Sequence, residues 1–119
     1  MQDFFNSYAQ GYVDQDMARI AAHFSYPCML TNQSGTDLIC DADDLEQHIT
    51  GQLALMKNQG LSRAAAHIDH DMLHGTDNRV VSVSWSLQGT GGEMFAEYAF
   101  LYVLVRSADG WKISLANPI

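Results

Sequence analysis

The sequence predicts an α+β domain in which three N-terminal helices pack against a curved antiparallel sheet. Three observations carry this. Apolar residues recur three times at helical spacing before Gly60. After Leu61 the pattern changes to alternating runs rich in Val, Ser, Trp, Tyr and Phe, divided by glycine-rich turns. The chain has 119 residues, 47% of them apolar, which is enough for one core without staples and fits a single domain over 1–119.

The first helix follows from Phe4, Phe5, Tyr8 and Tyr12, an aromatic face behind Asp3, which is a suitable N-cap. Asp14 and Asp16 interrupt that pattern and offer new caps. Met17, Ile20, Ala21 and Phe24 then form a second stripe that Pro27 prevents from continuing. Cys28–Thr31 and Thr36–Cys40 flank Gln33-Ser34-Gly35 as a hairpin with a three-residue loop, a register that pairs Asn32 with Thr36 and sets Cys28 opposite Cys40. Two unbonded, buried thiols are expected there, because two cysteines make no secreted disulfide framework. Asp43 and Glu46 have capping-box spacing ahead of Leu45, Ile49, Leu53 and Met56, a third helix that Gly60 ends.

Val81, Val83, Trp85 and Leu87 alternate with Ser82, Ser84 and Ser86, giving a strand with one apolar face. Tyr98 to Val105 is apolar throughout and should be covered on both faces, one by the core and the other by a second subunit. Trp111, Ile113 and Leu115 alternate with Lys112 and Ser114 in the last strand. Between these parts, Arg63 to His74 suits a helix by propensity, whereas its place before a run of hairpins favours a strand.

Charge excludes several function classes. Six Lys and Arg stand against fourteen Asp and Glu, a net charge of -8, with no basic cluster, so nucleic acid and anionic membrane surfaces are not expected partners. Met1-Gln2-Asp3-Phe4 lacks the basic and apolar regions of a signal peptide, which makes the cytoplasm the expected location. There is no Gly-x-Ser-x-Gly elbow, and Gly89-Thr90-Gly91-Gly92 sits between strands rather than ahead of a helix, so neither serine hydrolysis nor phosphate binding by a glycine loop is indicated.

Two local patterns resemble a known family. Tyr8 to Phe24, read Tyr-Ala-Gln-Gly-Tyr-Val-Asp-Gln-Asp-Met-Ala-Arg-Ile-Ala-Ala-His-Phe, resembles the N-terminal helices of the nuclear transport factor two-like (ketosteroid-isomerase-like) superfamily, where an acidic turn precedes an Ile-x-x-x-Phe stripe. Asp109-Gly110-Trp111-Lys112-Ile113 resembles the closing hairpin and strand of these domains. The resemblance implies a cystatin-like, cone-shaped curved antiparallel sheet wrapped around three N-terminal helices, tips Arg63 to His74 toward a strand, and implies an apolar cavity where helices meet sheet. Ketosteroid isomerases, scytalone dehydratase and polyketide-cyclase-like proteins share it, so it implies a fold more sharply than a chemistry.

Carried over residue by residue, Tyr8 falls where the ketosteroid isomerases place their oxyanion-hole tyrosine. Asn32 stands where their aspartate base would be, and an amide cannot accept that proton. Tyr98 falls near the position of their protonated aspartate. On a helix, His67, His70 and His74 would share a face and could bind zinc; on a strand they disperse, and no metal or organic cofactor is required. If Ala64, Ala66, Ile68 and Met72 face inward, His70 does too, where imidazole could act as a general acid or base. Polyketide-cyclase-like relatives often carry a histidine on this strand, and His67 is the inward residue if the register is shifted by one. Tyr12, Trp85 and Tyr102 complete an aromatic wall with Tyr8 and Tyr98. The expected function is binding of a small apolar ligand by a homodimeric domain that pairs through its outer sheet face. Isomerase, dehydratase or cyclase action on a carbonyl or cyclic substrate would then fall to Tyr8 and His70. The alternative is a non-catalytic module for dimerisation or partner binding.

Overall fold

A computed structural model describes residues 1–119. Its elements run α1 (Gln2–Val13), α2 (Met17–Ala21), β1 (Phe24–Asn32), β2 (Gly35–Ile39), α3 (Ala42–Asn58), β3 (Arg63–His74), β4 (Asn78–Gln88), β5 (Met94–Ser107) and β6 (Gly110–Pro118). The strands form one unclosed, curved sheet in the order β2-β1-β6-β5-β4-β3. Neighbours pair antiparallel except β1 and β6, which run parallel, so the sheet is mixed at one seam.

The helices begin where acceptors exist for their unpaired N–H groups. Asp16 caps α2 by accepting from the Arg19 backbone N–H at 3.1 Å. α1 starts two residues earlier than Asp3 suggests: Met1 is its N-cap, and Asp3 lies in the first turn, where its charge suits the helix dipole. α3 is capped by Asp41, which accepts from Asp44 N at 2.8 Å, while the Asp44 carboxylate accepts from Cys40 N at 3.0 Å. This reciprocal pair does the work expected of Asp43 and Glu46, two residues earlier.

Two helical expectations change where the sheet competes for the chain. α2 stops at Ala21 because the next carbonyls are claimed elsewhere: His23 O accepts from Ile113 N of β6 at 2.8 Å, and Ala21 O accepts from the Tyr26 hydroxyl at 2.9 Å. Phe24 therefore opens β1 instead of closing the α2 stripe, yet it remains buried in the core. α1 and α2 approach closely at Gly11, where a Cβ would stand 2.9 Å from Cγ1 of Ile20.

The β1–β2 hairpin pairs Asn32 with Gly35 around a two-residue turn, one residue tighter than expected. Gly35 takes a φ of 134°, which only glycine adopts readily. The shift pairs Cys28 with Ile39 and leaves Cys40 beyond the strand, so Cys28 is buried, Cys40 is exposed, and the two thiols are not opposite each other.

Two bulges decide which side chains face the core. On β3, Ile68 pairs with Val83 but His70 pairs with Ser82, leaving Asp69 as the extra residue. Ala64, Ala66 and Ile68 share the inner row with Leu87, Trp85 and Val83; beyond Asp69 that row passes to Asp71, opposite Val81. On β6, Val103 pairs with Leu115 and Leu104 with Ile113, so Ser114 is extra. Ile113 and Ala116 are buried inward, and Leu115 turns to the outer face with Val103, against the simple alternation of Trp111, Ile113 and Leu115.

The core joins Phe5, Tyr8 and Ala9 of α1, Ile20 of α2 and Leu45, Ile49 and Leu53 of α3 to the inner rows of the sheet. One end is closed by Trp111, with the Arg106 guanidinium 4.4 Å and that of Arg79 5.5 Å from its ring centre. Arg79 is held in turn by Asp71, whose carboxylate it meets with two N–H groups. No helix is long and apolar enough to cross a membrane.

Candidate functional site

At the other end the helices and sheet diverge, leaving a cavity of about 250 Å³. α1 contributes Tyr8, Ala9 and Tyr12; α3 contributes Leu45, His48, Ile49, Gln52 and Met56. The inner rows of the sheet supply Leu30 from β1 and Trp85, Tyr98 and Tyr102 from β4 and β5. Asn32 and Asp37 sit at the hairpin rim.

The tyrosines form two hydrogen-bonded pairs. Tyr8 and Tyr12, one helical turn apart, bring their hydroxyls to 2.9 Å, and the Trp85 indole N–H donates to the Tyr102 hydroxyl at 2.9 Å. Burial pushes every one of these phenols up, Tyr12 to about 12, Tyr8 and Tyr102 well above their ordinary value and Tyr98 also upward. The neighbouring hydroxyls add to the rise at Tyr8. These side chains are therefore neutral donors at any ordinary pH. Their donors exceed the acceptors available: one proton is used within the Tyr8–Tyr12 pair, Tyr102 already accepts from Trp85, and Tyr98 has no protein partner.

The rim is the charged end. Asp37 lies in β2 opposite Leu30 and points inward with it; its Oδ2 accepts from Asn32 Nδ2 at 3.2 Å, and its Oδ1 has no protein partner. The Asn32 carbonyl accepts from Ser34 N at 2.8 Å, so the amide is spent holding the turn and the carboxylate. His48 stands on α3 with Nδ1 2.8 Å from the Asp44 carbonyl, leaving Nε2 open. Deeper on the sheet side, Thr31 donates to Asn117 Oδ1.

Of the residues singled out from sequence, Tyr8, Tyr12, Asn32, Trp85, Tyr98 and Tyr102 line this one cavity. His70 and His67 do not. The Asp69 bulge sets His70 beside Ser82 on the outer face, and His67, beside Ser84, has a side chain 81% exposed. Asp69 there accepts from Ser84 Oγ and lies 3.6 Å from His67 Nε2. Neither histidine reaches the cavity, under either register. Asp37 and His48 are the acid–base groups that sequence reasoning missed. A signal existed for His48, since it shares the helical stripe of Leu45, Ile49, Gln52 and Met56. Asp37 was hidden by the one-residue error in the hairpin.

A cone of helices and curved sheet closed at one end and hollow at the other defines a container-type α+β domain. Residues 1–118 match the family model described as NTF2-like protein (DUF6841), and the chain belongs to that family. Among solved structures it is similar to a domain of unknown function with a cystatin-like fold from Nostoc punctiforme, with a TM-score of 0.74 at 16% identity over 98% of this chain and 72% of that one. It is also similar to an NTF2-like protein of unknown function from Shewanella oneidensis, with a TM-score of 0.69 at 14% identity over 98% and 93% of the two chains. A ketosteroid isomerase-like protein from Erwinia carotovora atroseptica gives a TM-score of 0.67 at 16% identity over 98% and 92%. At these identities the likeness is one of fold. No curated protein matches the chain in sequence.

Proposed function

We propose that the protein binds a small molecule with an apolar body and a hydrogen-bond-accepting oxygen, such as a ketone, in the cavity between α1, α3 and the sheet. The observation that carries this reading is the surplus of neutral tyrosine donors in an apolar, partly enclosed space. A ligand oxygen among Tyr8, Tyr12, Tyr98 and Tyr102 would accept from hydroxyls for which the lining itself supplies too few acceptors. An isomerase, dehydratase or cyclase reaction on such a substrate needs a proton acceptor. Asp37 and His48, both in the lining, would take that role in place of His70, with Tyr8 as donor.

A second reading, pairing of two chains, is supported by the outer face of β5. Leu101 and Val103 stand there half-buried with Leu115 beside them, and Met29, Leu38 and Met72 are exposed on the same side. It is compatible with the first, because the two faces of the sheet are separate.

Prodan, a neutral naphthyl ketone whose emission shifts to the blue in apolar surroundings, tests the binding reading. The wild-type protein should bind it saturably. Ala64→Trp, which fills the cavity from β3, should abolish that binding while leaving the circular dichroism spectrum intact. Equal binding by the variant would contradict the reading, and Ala9→Leu provides an independent filling of the same space from α1.

A further inference from the structure

The charge of the cavity says more about its ligand than the donors do. No Lys or Arg lines it, and Asp37 is its one carboxylate. Asp37 is half-buried and in no ion pair: its only hydrogen bond is from the neutral Asn32 amide, and one oxygen is left open. A carboxylate at the mouth of an apolar cavity, with one oxygen free and no Lys or Arg in the lining, is a ready partner for a positive group. Two of the molecule's six basic residues, Arg79 and Arg106, are committed to Trp111 and its neighbours at the closed end. The aromatic walls from α1, β4 and β5 add ring faces, which attract cations and repel anions. The chain's net charge of -8 acts in the same direction at longer range.

We infer that the ligand is an organic cation: an amine-bearing or quaternary ammonium compound whose apolar body lies among the rings and whose positive end meets Asp37 at the rim. This rests on the binding reading above and deepens it. The ligand's oxygen, where present, meets the tyrosines inside, and its charge stays at the rim, so that two ends of the cavity read two ends of one molecule. Carboxylate-bearing molecules of the same shape are rejected, because they would meet Asp37 with like charge and offer nothing to a lining without Lys or Arg.

Isothermal titration with three probes of similar size tests this: benzyltrimethylammonium, phenylacetone and phenylacetate. The cation should bind at least about tenfold more tightly than the ketone, the scale of a partly desolvated cation–aromatic and ion-pair contact. Phenylacetate should bind weakest. Asp37→Asn, which keeps an oxygen for the Asn32 amide, should reduce the ratio of cation to ketone affinity about tenfold. Asp37→Glu should keep most of that ratio. A ketone that binds as well as the cation, or a ratio untouched by Asp37→Asn, overturns the charge assignment and leaves the binding reading standing. Failure of all three probes in a protein that binds Prodan overturns the charge assignment alone; failure of Prodan as well overturns both.

Discussion

Tyr102 shows how tightly single residues are specified in the cavity wall. Its oxygen is the only acceptor for the buried Trp85 indole N–H, so Tyr102→Phe leaves that donor unpaired and should cost about 1–3 kcal/mol in urea denaturation. His23 carries a different kind of information. Its Nδ1 donates to the Arg19 carbonyl at 2.7 Å, and its ring packs on Phe4 and Tyr8. Burial holds the imidazole below its ordinary value against that hydrogen bond, and the charges of Lys112 and Arg19 reinforce the shift. A lowered folded value means that the unfolded chain takes up the proton first as pH falls. The stability carried by neutral His23 is therefore complete above about pH 6.5 and is lost as pH falls through that value toward the folded one. The melting temperature of wild type should decline more over that range than that of His23→Gln.

The candidate site was legible wherever a residue type implied its own environment. Aromatic residues at helical or alternating spacing are buried whatever the detailed register, which is why Tyr8, Tyr12, Trp85, Tyr98 and Tyr102 could be placed in one wall. Polar residues carry no such constraint. The facing of His70, Asn32 and Asp37 depends on strand parity: the bulge turns His70 outward, Asn32 stays at the rim, and the tighter hairpin brings in Asp37, to which the sequence reading assigned no role.

At the scale of elements, the same lesson separates helices from strands. The apolar stripes of α1 and α3 located both helices because their period survives an error of a residue at either end. Their caps were less legible, since Asp41, Asp43, Asp44 and Glu46 all offer oxygens and only the folded backbone selects Asp41 and Asp44. The bulges at Asp69 and Ser114 have no sequence signature at all, and each switches the facing of everything beyond it. Helix packing yields a direct prediction. Gly11→Ala places a methyl group against Ile20 where α1 crosses α2, and it should destabilise the protein by about 1–3 kcal/mol despite alanine's better helix propensity. Asp41→Ala removes the α3 cap and should cost about 0.5–2 kcal/mol. Thermal or urea unfolding followed at 222 nm checks both; a stabilised Gly11→Ala would mean that the two helices separate more easily than this packing allows.

For the whole molecule, the two faces of the sheet differ in what they meet. The inner face and helices enclose the cavity; the outer face presents Leu101, Val103 and Leu115, each half-buried within one chain. Light scattering at micromolar concentration should return the mass of two chains, and Val103→Arg, central on that face, should return one. A monomeric wild type would remove the pairing proposal and leave the cavity untouched. The central claim concerns the cavity, and the two tryptophans report on it from opposite ends, Trp85 in the wall and Trp111 beneath the arginines at the closed end. In a two-dimensional ¹⁵N–¹H spectrum titrated with Prodan, the indole resonance of Trp85 should move to saturation while that of Trp111 stays in place. A Trp85 resonance that remains fixed while the dye binds would place the ligand elsewhere and contradict the account.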